Sequence, residues 1–111
     1  MNVLFVCSRN QWRSPTAERV FGRDPEHAVR SAGTSRTARR TVSAADLHWA
    51  DVVMVMERQH KVRLRERFPQ LRGTTVVVLD IPDEYRFMDP ELVERLEATV
   101  TPALERLARR R

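Results

Sequence analysis

Three short, uninterrupted apolar runs constrain this chain more than anything else in it: Val3-Leu4-Phe5-Val6, Val52-Val53-Met54-Val55-Met56 and Val76-Val77-Val78-Leu79. A strand with one wet face alternates apolar and polar residues, so a run without alternation predicts a strand covered on both faces, as in a parallel sheet. A fourth strand fits Ala28 to Ser31, ending in Gly33. Helical stretches lie between them. Ser14-Pro15 predicts a helix start, with serine as cap and proline at the first position, and Ala17, Val20 and Phe21 give that helix an apolar face. Ser43 with Asp46 three residues on predicts a capping box for a short helix to Ala50. Arg58 to Phe68 reads as a basic amphipathic helix stopped by Pro69 and Gly73. Asp89-Pro90 opens a last helix with Leu92, Leu96, Val100, Leu104 and Leu107 at helical spacing, in which Pro102 predicts a kink or break near Thr101. Alternating strands and helices predict a three-layer α/β/α fold around a central four-stranded parallel sheet, whose ligands bind beyond the carboxyl ends of the strands.

At 111 residues the sequence predicts a single domain over 1–111. No apolar run approaches the length of a membrane helix and the N-terminus has no signal-peptide pattern, so the expected location is the cytoplasm, with no membrane partner. One cysteine, Cys7, excludes an intrachain disulfide and any multi-cysteine metal site. The formal charge is +5, and Lys61 is the only lysine among 20 basic residues. Arginine forks match phosphate and carboxylate oxygens, so a basic body fits an anionic partner. With aromatics at 6% and no nucleic-acid motif, the sequence argues against nucleic acid as that partner. A compact acidic cluster between Asp80 and Glu97 runs against the basic trend.

The chemistry concentrates where the first strand ends. Cys7-Ser8-Arg9-Asn10-Gln11-Trp12-Arg13-Ser14 puts a thiol and a guanidinium at the two ends of one tight turn, followed by a helix. Backbone N–H groups of such a loop can point inward as an anion cradle, and with Arg13 they would favour a thiolate at Cys7. A thiolate beneath a bound phosphate is poised for in-line attack, Arg13 can clamp two phosphoryl oxygens, and Ser14 can donate to the departing sulfur. Elsewhere the signals are bland. His27, His48 and His60 are dispersed, without metal-ligand spacing, and read as surface or partly buried. The three glycines form no nucleotide fingerprint. Arg109-Arg110-Arg111 reads as a frayed, solvated tail.

The stretch VLFVCSRNQWRSPTAE resembles the signature of the low-molecular-weight protein tyrosine phosphatase family, whose fold also serves some arsenate reductases. Ser31-Ala32-Gly33-Thr34, Asp51 to Glu57 and Asp80-Ile81-Pro82-Asp83-Glu84-Tyr85 resemble further segments of the same family. The resemblance implies a cysteine-dependent phosphatase for phosphotyrosine or other aryl phosphates, carried by a phosphorylated protein or a small molecule, with no metal or other cofactor. It makes Cys7 the nucleophile, Arg13 the phosphate clamp and the loop from Ser8 to Ser14 the phosphate cradle. Ser14 becomes the thiolate partner, Asn10 a loop-shaping residue held by Ser31, Asp83 the general acid, and Tyr85 an aromatic wall beside the substrate ring.

This chain departs from the family pattern in several places. Arg9 stands where the family has glycine, Trp12 where it usually has a second cysteine, and Glu84 where a proline follows the acid. The region between Gly33 and Arg40 is much shorter, which removes a helix and part of the substrate wall. Asp89-Pro90 is a rival for the acid, although Asp89 has a ready role as a helix cap. Two other functions remain open from the residues: an arsenate reductase completed by an external thiol or redoxin, and a non-catalytic anion or nucleic-acid binding module.

Overall fold

The computed structural model describes residues 1–110, and for Arg72 the backbone alone. Four strands, β1 (Asn2–Cys7), β2 (Ala28–Gly33), β3 (Val52–Val55) and β4 (Thr75–Val78), form one sheet in the order β2-β1-β3-β4. Every pair is parallel, with Phe5 opposite both Ser31 and Met54, and Met54 opposite Val77. The two central strands carry two of the three uninterrupted apolar runs and are buried on both faces, whereas Val76 to Val78 of the third run, in the edge strand β4, are only half-buried because one side of that strand has no neighbour.

Four helices cover those faces: α1 (Arg13–Phe21), α2 (Ala44–Trp49), α3 (Arg58–Arg67) and α4 (Pro90–Arg109). Odd and even strand residues separate the two layers, as period-two side chains must. Val3, Phe5, Val52 and Met54 pack with Ala17 and Phe21 of α1 and with Leu92, Leu96 and Val100 of α4. Leu4, Val6, Val53 and Val55 pack on the opposite side with Leu47 of α2 and Leu64 of α3. The expected three-layer α/β/α architecture is the one observed. Because β1 connects to β2 on one side and β3 to β4 on the other, the strand order reverses between β1 and β3. A crevice opens at the carboxyl ends of strands at such a point.

Three local expectations give way. Helix α1 starts at Arg13 with Trp12 at its cap position, and no side chain caps it. Ser14 is therefore inside the helix, with its hydroxyl directed to Cys7 rather than to a backbone N–H. Helix α4 runs through Pro102 without the break that is one of the two outcomes expected near Thr101. Pro102 and Ala98, whose carbonyl loses its partner, are both exposed, so that carbonyl lies on the solvent side of the helix while Val100, Ala103 and Leu104 hold the helix on the sheet. Arg109 lies within α4 instead of fraying, and Arg111, the end of the expected tail, lies outside the described residues. The Ser43–Asp46 capping box forms as expected, and residues 34–40 form a loop without a helix.

Asp89 caps α4, its carboxylate accepting from the Glu91 N–H at 2.9 Å. Asp89→Ala should cost about 1 kcal/mol in chemical denaturation, while Asp89→Asn, which keeps an acceptor oxygen, should stay within a few tenths of wild type. Equal losses from both would mean that the charge, not the cap, does the stabilising.

Candidate active site

At the reversal point a cleft of about 290 Å³ is lined by Cys7, Ser8, Arg9, Gln11, Trp12, Arg13 and Asp83. Cys7 is the last residue of β1, so the sheet itself fixes its backbone. The loop that follows is clasped from outside: Thr34, Ser35 and Arg39 donate their N–H groups to the carbonyls of Cys7 (3.0 Å), Ser8 (2.9 Å) and Arg9 (3.1 Å). In a planar trans peptide the N–H points opposite to the C=O, so these bonds turn the N–H groups of Ser8, Arg9 and Asn10 away from the clasping segment. From Ser8 to Ser14, no backbone N–H donates to an acceptor among the described residues. Unpaired donors in one loop at the start of a helix make an anion cradle. The clasp requires Gly33, since a Cβ there would meet the Ser8 carbonyl at 2.5 Å.

The thiol sits at the head of a buried relay. Asn10 takes a left-handed backbone (φ 54°), and its amide donates to the Ser14 hydroxyl (3.0 Å) and to the Ser31 hydroxyl (2.9 Å). Ser31 in turn donates to Glu18 at 2.6 Å. Having accepted from Asn10, the Ser14 hydroxyl has two acceptors within reach of its own hydrogen, Cys7 Sγ at 2.9 Å and the Ala32 carbonyl at 3.4 Å, and the sulfur is the nearer. Asn10 and Ser14 are buried and do not line the cleft with their side chains, so they act on it from behind.

Arg13 is 2% exposed, and a buried guanidinium must be paired. One terminal nitrogen, Nη1, donates to Glu57 at 2.5 Å and to the Ile81 carbonyl at 2.9 Å. Burial works to raise the Glu57 carboxyl, but hydrogen bonding and charge from Arg13 outweigh it and hold the group below the usual carboxylate range. With Nη1 occupied, Arg13 presents the edge formed by Nε and Nη2. Asp83 Oδ1 lies 3.6 Å from Nε, on the cleft side.

Other candidates fall elsewhere. Asp89 is the cap of α4 and does not line the cleft. Tyr85 requires a correction: its ring belongs to the core layer with Leu92 and Leu96, its hydroxyl accepts from Arg95 at 2.9 Å, and it forms no wall of the cleft. An apolar ring beside α4 gains more from burial than from a wet rim. Trp12, which the resemblance assigned only to the phosphate loop, is the aromatic residue that lines the cleft, and it is 36% exposed. His60 also needs correcting, since it is 1% exposed. His27 stands with Asp24 and Glu26 on the exposed turn before β2, at the opposite end of the sheet from the cleft. Sequence reading missed Glu57 and His60 because nothing in their spacing marks them. Both follow β3, whose carboxyl end is where partners for Arg13 had to be sought.

The matching family model is that of the low molecular weight phosphotyrosine protein phosphatase, over residues 2–44. The low molecular weight protein-tyrosine-phosphatase Wzb of Escherichia coli K12 is 32% identical over 77% of this chain and 78% of its own length. Wzb of Salmonella typhimurium is 33% identical over 96% of this chain and 89% of its own. That alignment runs over 137 positions against 111 residues here, so at least 26 positions of the relative have no counterpart. In fold, the chain resembles Wzb from Escherichia coli K30 in complex with phosphate, with a TM-score of 0.78 and 24% identity over 96% and 97% of the two chains. It resembles equally the YwlE arginine phosphatase from Geobacillus stearothermophilus, with a TM-score of 0.78 and 22% identity over 98% and 94%.

The buried histidine makes the fold acid-sensitive. Burial, with the positive charge of Arg13, lowers His60 from 6.5 to about 4. The unfolded chain takes up this proton below about pH 6.5 and the folded protein only near pH 4, so stability should fall as pH drops through that window. The limit is about 3 kcal/mol, at 1.4 kcal/mol per unit. Denaturant midpoints from pH 7 to 4 check this, and the His60→Asn variant should lose the histidine's share of the slope.

Proposed function

The chain belongs to the low molecular weight phosphotyrosine protein phosphatase family, and from that premise we propose that it hydrolyses phosphotyrosine or other aryl phosphate monoesters through a cysteinyl-phosphate intermediate. It is a cysteine-based phosphatase. The observation that carries the finer reading is the meeting of Cys7, Arg13 and Asp83 in one cleft beside backbone N–H groups that have no acceptor among the described residues. The Cys7 thiolate attacks phosphorus, the P–S bond forms as the ester P–O bond breaks, and Asp83 gives its proton to the departing oxygen. Asp83, now a carboxylate, takes a proton from water as that water attacks phosphorus. The P–S bond then breaks, and Ser14 donates to the returning thiolate. Arg13 holds the equatorial oxygens through Nε and Nη2, and the loop N–H groups share the remaining charge, so no metal is called on.

The substrate side is read from the walls. Trp12 offers a flat apolar surface beside the thiol, suited to the ring of an aryl phosphate, and Arg9 adds positive charge at the rim. We take residues 1–111 as one domain acting in the cytoplasm on a phosphorylated protein or small aryl phosphate. A free thiol nucleophile needs a reducing compartment, and no helix among the described residues is long and apolar enough to cross a membrane. An arsenate reductase is not favoured: the similar proteins named above are phosphatases, and with one cysteine an internal electron relay has no second thiol. Parallel assays with p-nitrophenyl phosphate and with arsenate plus external thiol separate the two, and arsenate turnover without ester hydrolysis would reverse the assignment.

Two further outcomes test the roles. Cys7→Ser should abolish turnover while vanadate still binds, because the cradle is backbone and Arg13; substantial residual hydrolysis would remove Cys7 from the mechanism. Asp83→Asn should slow hydrolysis by about 10²–10⁴, most for esters with poor leaving groups. Asp89→Asn should leave both rate and leaving-group dependence alone, and a leaving-group effect there in place of Asp83 would make Asp89 the acid.

A further inference from the structure

One cleft residue is held by a partner that the mechanism above does not use. Ser8 lines the cleft, and its Oγ lies 2.9 Å from Nε2 of His60, the third residue of α3. The ring's other nitrogen, Nδ1, lies 3.0 Å from the backbone nitrogen of Glu57. A backbone N–H can only donate, so Nδ1 is the acceptor and carries no hydrogen. The proton of a neutral imidazole is then on Nε2, which must donate to Ser8. Burial, reinforced by Arg13, keeps this ring neutral at ordinary pH. Protonation would put a hydrogen on Nδ1 against the Glu57 N–H.

Ser8 Oγ, having accepted from His60, is left with its own hydrogen to give, and no protein acceptor for it is found among the described residues. A similar arrangement lies on the other side of the thiol, where Ser14 accepts from Asn10 and Cys7 Sγ is the nearer of the two acceptors, with the Ala32 carbonyl, for its hydrogen. A hydroxyl that accepts one bond becomes a better donor of the next.

We propose that His60 is a positioning residue that turns the Ser8 hydroxyl into a fixed donor aimed into the cleft, where it binds an oxygen of the phosphoryl group. The proposal rests on the phosphatase reading for its kinetic consequences but not for its binding consequence, since inorganic phosphate fills the same cradle without turnover.

The two ring nitrogens can be tested separately. Asn at position 60 keeps an acceptor near the place of Nδ1 but cannot reach Ser8. Gln reaches toward the place of Nε2 and can donate to Ser8, but gives up the contact with Glu57. With p-nitrophenyl phosphate as substrate and inorganic phosphate as inhibitor, His60→Asn and Ser8→Ala should each lower kcat/KM and weaken phosphate binding by about tenfold, the worth of one hydrogen bond to a charged group. His60→Gln should retain phosphate affinity within about threefold of wild type even where its thermal midpoint drops. The double variant His60→Asn with Ser8→Ala should be no worse than either alone, because both remove one donor.

Phosphate affinity at the wild-type level in His60→Asn would overturn the proposal, as would losses that multiply in the double variant or a loss in His60→Gln equal to that in His60→Asn. Calorimetric titration of inorganic phosphate reads the same series without catalysis. If wild type binds phosphate but hydrolyses no ester, the phosphatase reading fails while the positioning role is still decided by the titration.

Discussion

Much of this structure depends on one buried cation. Arg13 enters from the first turn of α1 and ends against Glu57, beyond β3, and the Ile81 carbonyl, beyond β4. It therefore ties together the carboxyl ends of three strands, the place where a parallel sheet leaves its chain to irregular connections. A guanidinium out of water is tolerable only when its N–H groups are matched, and removing Glu57 would leave the buried charge with only the longer, exposed pair to Asp83 at 3.6 Å. Pairing at Nη1 also decides which edge of the fork remains for a ligand. Structural anchoring thus uses one side of a planar group, and rigidity on that side gives the other, the edge assigned to phosphate in the proposed function, a defined direction.

The same division recurs around the thiol. Carbonyls of the loop face outward to Thr34, Ser35 and Arg39, which leaves N–H groups on the other side. The Ser8 hydroxyl accepts from His60 and has its hydrogen left over, and the Ser14 hydroxyl accepts from Asn10 with the thiol as the nearer acceptor for its own. In each case an acceptor is satisfied from outside the cleft so that a donor is left for the inside. Donors fixed before the ligand arrives cost no reorganisation when negative charge builds up, which is the physical basis of catalysis by a preorganised site.

The β-strands and helices were legible because hydrophobic pattern reports burial, and burial decides elements. Val3 to Val6 and Val52 to Val55 are strands for the reason their composition predicts, and the Ser43–Asp46 box starts α2 where its spacing predicts. Ser14-Pro15 misled as a cap because proline is acceptable anywhere in the first turn, so α1 begins two residues earlier and its serine faces the sulfur. Pro102 misled because a lost helix bond is cheap on a wet face. Among site residues, Cys7 and Arg13 stand out in sequence because one tight loop holds both. Glu57, Glu18 and His60 are invisible there because their contacts cross 44, 13 and 52 residues of chain. Such partners follow from strand order, and strand order is set by the packing of whole helices.

The shorter length relative to Wzb takes on meaning against this geometry. Apart from Asp83, on the connection from β4 to α4, the charged and donor groups of the cleft are anchored to a strand end, to the first turn of a helix or to the clasp from residues 34–39. None of them needs the additional positions that the longer relative carries. The walls are another matter. With Tyr85 withdrawn into the core beside α4, the aromatic surface of the cleft is that of Trp12, on the phosphate loop itself, and the charge at the rim is that of Arg9. Both side chains spring from the segment whose backbone forms the cradle. Under the proposed function, a single loop of eight residues, Cys7 to Ser14, would therefore supply the nucleophile, the anion cradle and most of the lining of the cleft. On that reading, changes of substrate preference have few places to arise without touching the loop assigned to the chemistry.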